Sequence, residues 1–182
     1  RQSVALLRRL GYRVVEFEPE YDIAGIIANI RKLARATGEV ARGEAMVRRI
    51  EAELAALPPP PPPTRRPVLA DHDANGFTSG DGTLLADLAN RAGIAMLGQR
   101  LGLVGMRQVS LEQLLVGRPD LLAPVRAGRA PALADEITRH PALARLRAGA
   151  RIVPLDPRDT ACGNLASLRA LRALAHARQR LD

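Results

Sequence analysis

The chain has 182 residues, 47% of them hydrophobic, and carries 27 Lys and Arg against 19 Asp and Glu, a net charge of +8. That length buries one sizeable core plus an appended element, and the absence of any apolar run of about 18 residues excludes a membrane span. Lys32 is the only lysine, so the excess charge is arginine scattered among Ala and Leu, and with two Phe, two Tyr and no Trp the chain lacks stacking platforms for single-stranded nucleic acid.

In chain order, Ser3 to Leu10 reads as a short helix and Tyr12 to Phe17 as a β-branched strand closed by Pro19. Ile23, Ile26, Ile27, Ile30 and Leu33 then recur at helical spacing, and after a break at Thr37-Gly38 the pattern resumes at Val47, Ile50, Leu54 and Leu57. A continuous helix from Asp22 to Leu57 would extend ~54 Å at about 1.5 Å per residue, enough to brace two lobes. An ordinary pair of amphipathic helices packed on one sheet fits the same pattern. The prolines from Pro58 to Pro63 can neither continue a helix nor donate to a ladder, which predicts a polyproline II spacer of ~19 Å and a domain boundary.

Beyond the spacer the predicted elements alternate. Val68 to Ala70 is a strand, Gly82 to Arg91 a helix, Ile94 to Leu97 a short strand and Leu111 to Val116 a helix. Leu121 to Ala123 follows as a strand, then helices near Ala132 to Ile137 and Pro141 to Ala148, a strand Arg151 to Leu155, and a last helix Leu165 to Leu181. This predicts an α/β, doubly wound, mainly parallel sheet preceded by a long helical segment. Ligands of such sheets collect at the carboxyl ends of strands, which singles out the loops Asp71 to Asp81, Gly105 to Val109 and Asp156 to Asn164.

The first of these loops leads into GFTSGDGTLLADL, Gly76 to Leu88, where glycines and small polar residues open into a helix and present amides suited to a ligand or anion. Asp81 or Ser79 is placed to cap that helix. No Walker lysine follows, and there is no G-x-G-x-x-G fingerprint. Asp71, His72 and Asp73 alternate across a strand and read as solvated loop and turn residues rather than a metal site. His140 precedes Pro141 at a helix start, His176 lies exposed on the terminal helix, and no His, Cys and acid set has catalytic spacing, so the chain predicts neither a catalytic nor a metal centre. In VSLEQLL the spacing of Ser110 and Gln113 predicts a capping box with Glu112 outward in the first turn. Cys162, the single cysteine, forms no internal disulfide.

Gly76 to Leu88, followed by VSLEQLLVGRPDLL at Val109 to Leu122, resembles the carboxy-terminal lobe of the class III substrate-binding proteins of ABC importers, the family that delivers iron-siderophores, haem and cobalamin. GYRVVEFEP at Gly11 to Pro19 resembles the last strand of the amino-terminal lobe, and Ala28 to Leu57 the lobe-spanning helical segment. HPALARLRAGARIVPLD at His140 to Asp156 is similar to the closing helix-turn-strand unit, and TACGNLASLRALRAL at Thr160 to Leu174 to the last loop and helix. The proline run departs from the family, which passes from helix to strand with little linker. The resemblance implies four segments: residues 1-20 ending an amino-terminal lobe, 21-57 an interlobe helical segment, 58-67 a Pro-rich linker, and 68-182 the carboxy-terminal lobe. It implies upstream codons for a leader and another α/β lobe.

The resemblance further implies a periplasmic protein, not an enzyme and without a cofactor, that captures an iron chelate, haem or cobalamin and meets the membrane only through an inner-membrane permease. Asn75, Phe77, Thr78, Arg107, Cys162 and Asn164 would border the ligand, and Glu112 would be a docking peg for permease arginines. Aromatic poverty at these loops argues for a polar chelate over a stacked macrocycle. The rival reading is an α/β enzyme or nucleotide-binding domain using the Gly-rich loop 76-83; a third is a purely structural interaction fragment.

Overall fold

The computed structural model describes residues 2–62, 66–73, 75–124 and 141–181. After helix α1 (Gln2–Arg9), residues 12–20 run without regular structure. The strand predicted at Tyr12 to Phe17 is therefore not formed, because a β-branched run becomes a strand only where a neighbour offers a ladder. The extended segment is instead pinned to the next helix, where Asn29 donates to the Glu18 carbonyl at 2.8 Å and to the Glu20 carboxylate at 2.7 Å.

Helices α2 (Ile23–Thr37) and α3 (Val40–Ala55) replace the continuous rod. Asp22 caps α2 by accepting from the Gly25 amide at 2.6 Å, and Gly38 ends it in the left-handed conformation, φ 78°. That backbone turn reverses the chain, so the two helices fold back on one another: Arg31 forks onto Glu44 at 2.9 and 3.1 Å, and Gly43, lacking a side chain, lets α3 approach Ala34. The exposed ion pair stabilises little. Burial of Ile23, Ile26, Val47 and Ile50 holds the hairpin down.

The sheet has the order β3-β1-β5-β6, all parallel, from β1 (Val68–His72), β3 (Ala95–Met96), β5 (Leu121–Pro124) and β6 (Arg151–Ile152). Four of the five β1 residues are buried, as expected of a strand covered on both faces. Leu69 joins Leu88, Leu121, Val153, Leu171 and Leu174 in one core, which also contains Ile23, Ile26 and Ile50 of the hairpin. Val68 and Ala70 face the other way, against Leu97, Leu114, Leu122 and Leu143. The helices covering these faces are α4 (Leu84–Arg91), α5 (Leu97–Arg100), α6 (Leu111–Gly117), α7 (Pro141–Gly149), α8 (Pro157–Thr160) and α9 (Ser167–Gln179). The helix predicted at Ala132 to Ile137 lies outside the described residues, as does His140. The strand predicted to Leu155 ends at Ile152, and α5 and α8 occupy stretches read as strand end and loop.

A two-stranded antiparallel ribbon, β2 (Phe77–Ser79) with β4 (Met106–Gln108), stands where two loops were predicted. Each strand has only three residues, too short for alternation to register. It is locked to α5 by close backbone packing. A Cβ built on Gly98 would fall on the Ser79 carbonyl, which cannot swing aside. Gly98→Ala is therefore expected to destabilise the protein by about 2–4 kcal/mol, read as a lowered urea midpoint.

The described prolines, Pro58 to Pro62, are partly exposed but held at defined points. Arg178, 6% exposed, donates to the Pro59 carbonyl at 3.1 Å, Arg66 donates to the Pro61 carbonyl at 3.3 Å, and Gly93 at φ 78° leaves room for the Pro60 and Pro61 rings. The described prolines thus tie the hairpin to the end of α9. Arg178→Ala should cost roughly 1–3 kcal/mol by losing its hydrogen bond to the Pro59 carbonyl and leaving a void where the buried side chain packed. Denaturant unfolding that leaves the midpoint unchanged would show the run to be a free spacer.

Candidate functional site

Strands β1 and β5 are neighbours, and the chain leads on from β1 to β3 on one side and from β5 to β6 on the other, so the connections leaving the pair diverge and open a crevice at their carboxyl ends. Residues Asp71, His72 and Asp73 occupy that end and do three different jobs. Asp71, 2% exposed, accepts from the Thr78 hydroxyl at 2.7 Å, the Ser79 amide at 2.9 Å and the Ser79 hydroxyl at 2.6 Å, which fastens β2 to the sheet. The expectation of a solvated residue fails here, because three donors satisfy the carboxylate without water. Asp73 does serve as a turn residue, its carboxylate accepting from the Asn75 and Phe77 amides at 2.9 and 2.8 Å. His72 lies between them, half-buried, with both ring nitrogens shielded and unpartnered.

An open hollow of about 550 Å³ lies above His72. The Asp73–Gly76 turn forms one wall with Asn75 and Gly76, and the strand-to-helix junction of β4 and α6 forms the other with Gln108, Val109, Ser110, Leu111 and Gln113. The two walls are tied together: the Val109 amide donates to the Gly76 carbonyl at 2.9 Å, and Gln108 Nε2 to the Asn75 carbonyl at 3.2 Å. Gly76, at φ 81°, supplies the left-handed turn and brings its backbone over the imidazole edge. The predicted capping box is present at the mouth, with the Ser110 amide donating to Gln113 Oε1 at 3.0 Å and the Gln113 amide to Ser110 Oγ at 3.2 Å. It leaves Glu112 exposed in the first turn of α6.

Of the residues expected to border a ligand, Asn75 lines this hollow. Phe77 is half-buried on β2, and Thr78, 2% exposed, spends its hydroxyl on Asp71. Arg107 pairs with Thr78 in the ribbon register and so shares its face rather than that of Gln108; its guanidinium donates to the Met106 carbonyl at 3.0 Å. Cys162 and Asn164 are exposed on the loop between α8 and α9, beyond the edge strand β6, where Gly163 abuts Glu20 and Ile26. The Asn164 side chain is used locally, accepting from the Ala166 amide at 2.6 Å and donating to the Cys162 carbonyl at 2.9 Å. The structure therefore groups Asn75 with His72, Gln108 and Gln113, none of which was expected to border a ligand. Their signal was positional: each ends or follows a strand at the diverging crevice.

The Gly-rich loop turns its amides inward. Ser79 N–H goes to Asp71, Gly80 N–H to the Gly105 carbonyl at 2.9 Å and Asp81 N–H to the Leu103 carbonyl at 2.8 Å. Neither Asp81 nor Ser79 caps α4. Thr83 does, accepting from the Ala86 amide at 3.3 Å, while Asp81 accepts from Gln99 at 2.6 Å. A phosphate cradle needs these amides pointing outward, and here they hold the loop to β1 and to the Leu103–Gly105 segment that leads into β4. Among the described residues no cluster of His, Cys, Asp and Glu could hold a metal ion.

Burial pushes the His72 imidazole below its ordinary 6.5, against the raising influence of Asp73 and Asp71. The folded state thus resists a proton that the unfolded chain accepts. Its contribution to stability is complete above about 6.5 and is lost as pH falls through the lower folded value. Urea titrations from pH 8 to 5 should show this loss in the native protein and a flatter profile in His72→Asn.

Residues 2–152 match the periplasmic binding protein family, and the chain belongs to it. The resemblance to class III members drawn from the motifs holds. Its fold is shared with the periplasmic haem-binding protein RhuT from Roseiflexus sp. RS-1, at 24% identity and a TM-score of 0.74, over 96% of this chain and 68% of that one. It is shared too with the periplasmic vitamin B12 binding protein BtuF of Vibrio cholerae, at 14% identity and 0.66, over 98% and 69%. An ABC-type Fe3+-hydroxamate transport protein from Saccharomonospora viridis DSM 43017 aligns at 17% identity and 0.65, over 85% and 55%. No curated protein sequence matches the chain. No described helix is long and apolar enough to cross a membrane.

Proposed function

We propose that the protein is the periplasmic substrate-binding component of an ABC importer and that the hollow above His72 is this lobe's share of the ligand cleft. The observation that carries the reading is the position of the hollow, at the carboxyl edge of a parallel sheet where the connections leaving β1 and β5 diverge. Its lining of amides and apolar groups suits capture rather than chemistry, since no nucleophile-base pair faces it among the described residues. The ligand is a metal chelate of the siderophore, haem or cobalamin kind, by likeness to the haem-binding, Fe3+-hydroxamate transport and vitamin B12 binding proteins that share the fold. Asn75 contacts it, Phe77 and Thr78 hold the wall in place, and Arg107, Cys162 and Asn164 serve contacts away from this hollow. Glu112, exposed beside the mouth, is the docking contact for an inner-membrane permease.

Calorimetry with ferrichrome, haemin, cyanocobalamin, ATP and NAD tests the reading. One of the metal chelates is expected to bind the full-length protein at micromolar concentration or tighter, and the nucleotides not at all. Nucleotide binding at micromolar concentration without chelate binding would return the protein to the enzyme reading.

A further inference from the structure

The hollow carries no formal charge among its described lining residues. Its polar groups are the side-chain amides of Asn75, Gln108 and Gln113, the Ser110 hydroxyl and the imidazole of His72; Val109 and Leu111 supply apolar surface. Two arginines come near without entering. Arg107 lies on the opposite face of β4 from Gln108, and Arg147 belongs to the small cavity beneath the sheet end, which it lines with His72, Leu114 and Leu143. His72 is neutral at physiological pH, since burial lowers its proton affinity. In a chain of net charge +8, the described lining of this hollow offers no cation.

That composition discriminates between ligand faces. Carboxylates entering the hollow would lose water and meet, among the described lining residues, only neutral dipoles, a loss that amide hydrogen bonds do not repay in full. Carbonyls and N–H groups of a neutral ligand lose far less, and Asn75, Gln108 and Gln113 can each both donate and accept. The unpartnered His72 nitrogens sit directly below and gain a partner if the imidazole turns toward such a ligand. We infer that this lobe receives an uncharged, amide- or hydroxamate-bearing face of its ligand and discriminates against a face that presents carboxylates. The inference rests on the reading of the hollow as ligand cleft, and it separates neutral corrinoids and ferric hydroxamates from dicarboxylate porphyrins and anionic ferric chelates.

The experiment measures affinities of the full-length protein for cyanocobalamin, ferrichrome, haemin and ferric citrate at low and high salt, with Gln108→Arg and Gln108→Trp as variants. At least one of the first two is expected to bind tenfold or more tightly than either anionic probe, with little salt dependence, and the better one tells corrinoid from hydroxamate. Gln108→Arg, which places a cation in the hollow, should narrow that preference several-fold by improving the anionic probes. A wild-type preference for haemin or ferric citrate, failure of both uncharged probes to bind, or a preference unmoved by Gln108→Arg would overturn the inference. Gln108→Trp fills the hollow and tests the underlying reading separately. Loss of the anionic probe's binding in that variant would keep the cleft and discard only its charge preference, whereas binding untouched by it would discard the cleft.

Discussion

Glu112→Gln is expected to reduce transport by about tenfold or more while leaving the ligand affinity of the full-length protein unchanged. The side chain lies in the first turn of α6, exposed, on a helix start fixed by the reciprocal bonds of Ser110 and Gln113. The substitution preserves shape and the capping box and removes only the charge. An acid placed there for the helix dipole alone would contribute roughly 0.3–1 kcal/mol to stability and nothing to uptake. The two roles separate in one comparison: reconstituted transport and the urea midpoint, measured on the same variant. Under the docking role proposed for Glu112, the transport defect should be larger at low salt, where a charge pair is least screened. Native transport by Glu112→Gln, with the equivalent glutamate of an opposing lobe also neutralised, would remove the docking role.

Asp71→Ala has the largest expected effect on stability. The carboxylate is 2% exposed and takes its hydrogen bonds from Thr78 and Ser79 across the gap between β1 and β2. Removing it leaves two hydroxyls and an amide facing a buried void, which costs about 3–5 kcal/mol. For a chain of this size each kcal/mol lowers Tm by roughly 2–4 °C, so a fall of about 6–20 °C is expected by differential scanning calorimetry. Thr78→Val removes one donor and should cost about 1 kcal/mol. Because the ribbon carries Gln108, Asp71→Ala should also weaken ligand binding, whereas Thr78→Val should leave it nearly intact. A loss of stability in Asp71→Ala no larger than in Thr78→Val would show that the carboxylate is not the anchor.

The central strands of the sheet were legible because β1 and β5 are buried on both faces and read as short apolar runs, with Val68 and Leu121 opening them at the predicted places. The capping box at Ser110 was legible because it depends on a local spacing alone. The hairpin at Gly38 was signalled as a break, but its reversal depends on Ile23, Ile26 and Ile50 entering the same core as β1, which no window of sequence contains. The strand expected at Tyr12 failed for the converse reason: composition favours a strand, and pairing needs a neighbour. In the Gly-rich loop, sequence identified the small residues correctly and misjudged their direction. Gly80 and Gly98 are small so that backbone can touch backbone, not so that a ligand can. His72 was weighed only as one of three metal ligands; its place beneath a diverging crevice emerges from the order β3-β1-β5-β6, a property of topology rather than of the motif.

The central claim, that the ligand sits in the hollow above His72, is tested most directly by amide hydrogen exchange of the full-length protein with and without the metal chelate that calorimetry shows to bind. Protection is predicted at the Asp73–Gly76 turn and across Gln108 to Gln113, the two walls joined by the Val109 and Gln108 hydrogen bonds. Protection confined to the proline run, the α2–α3 hairpin or the Cys162 loop, with both walls exchanging as in the free protein, would contradict it.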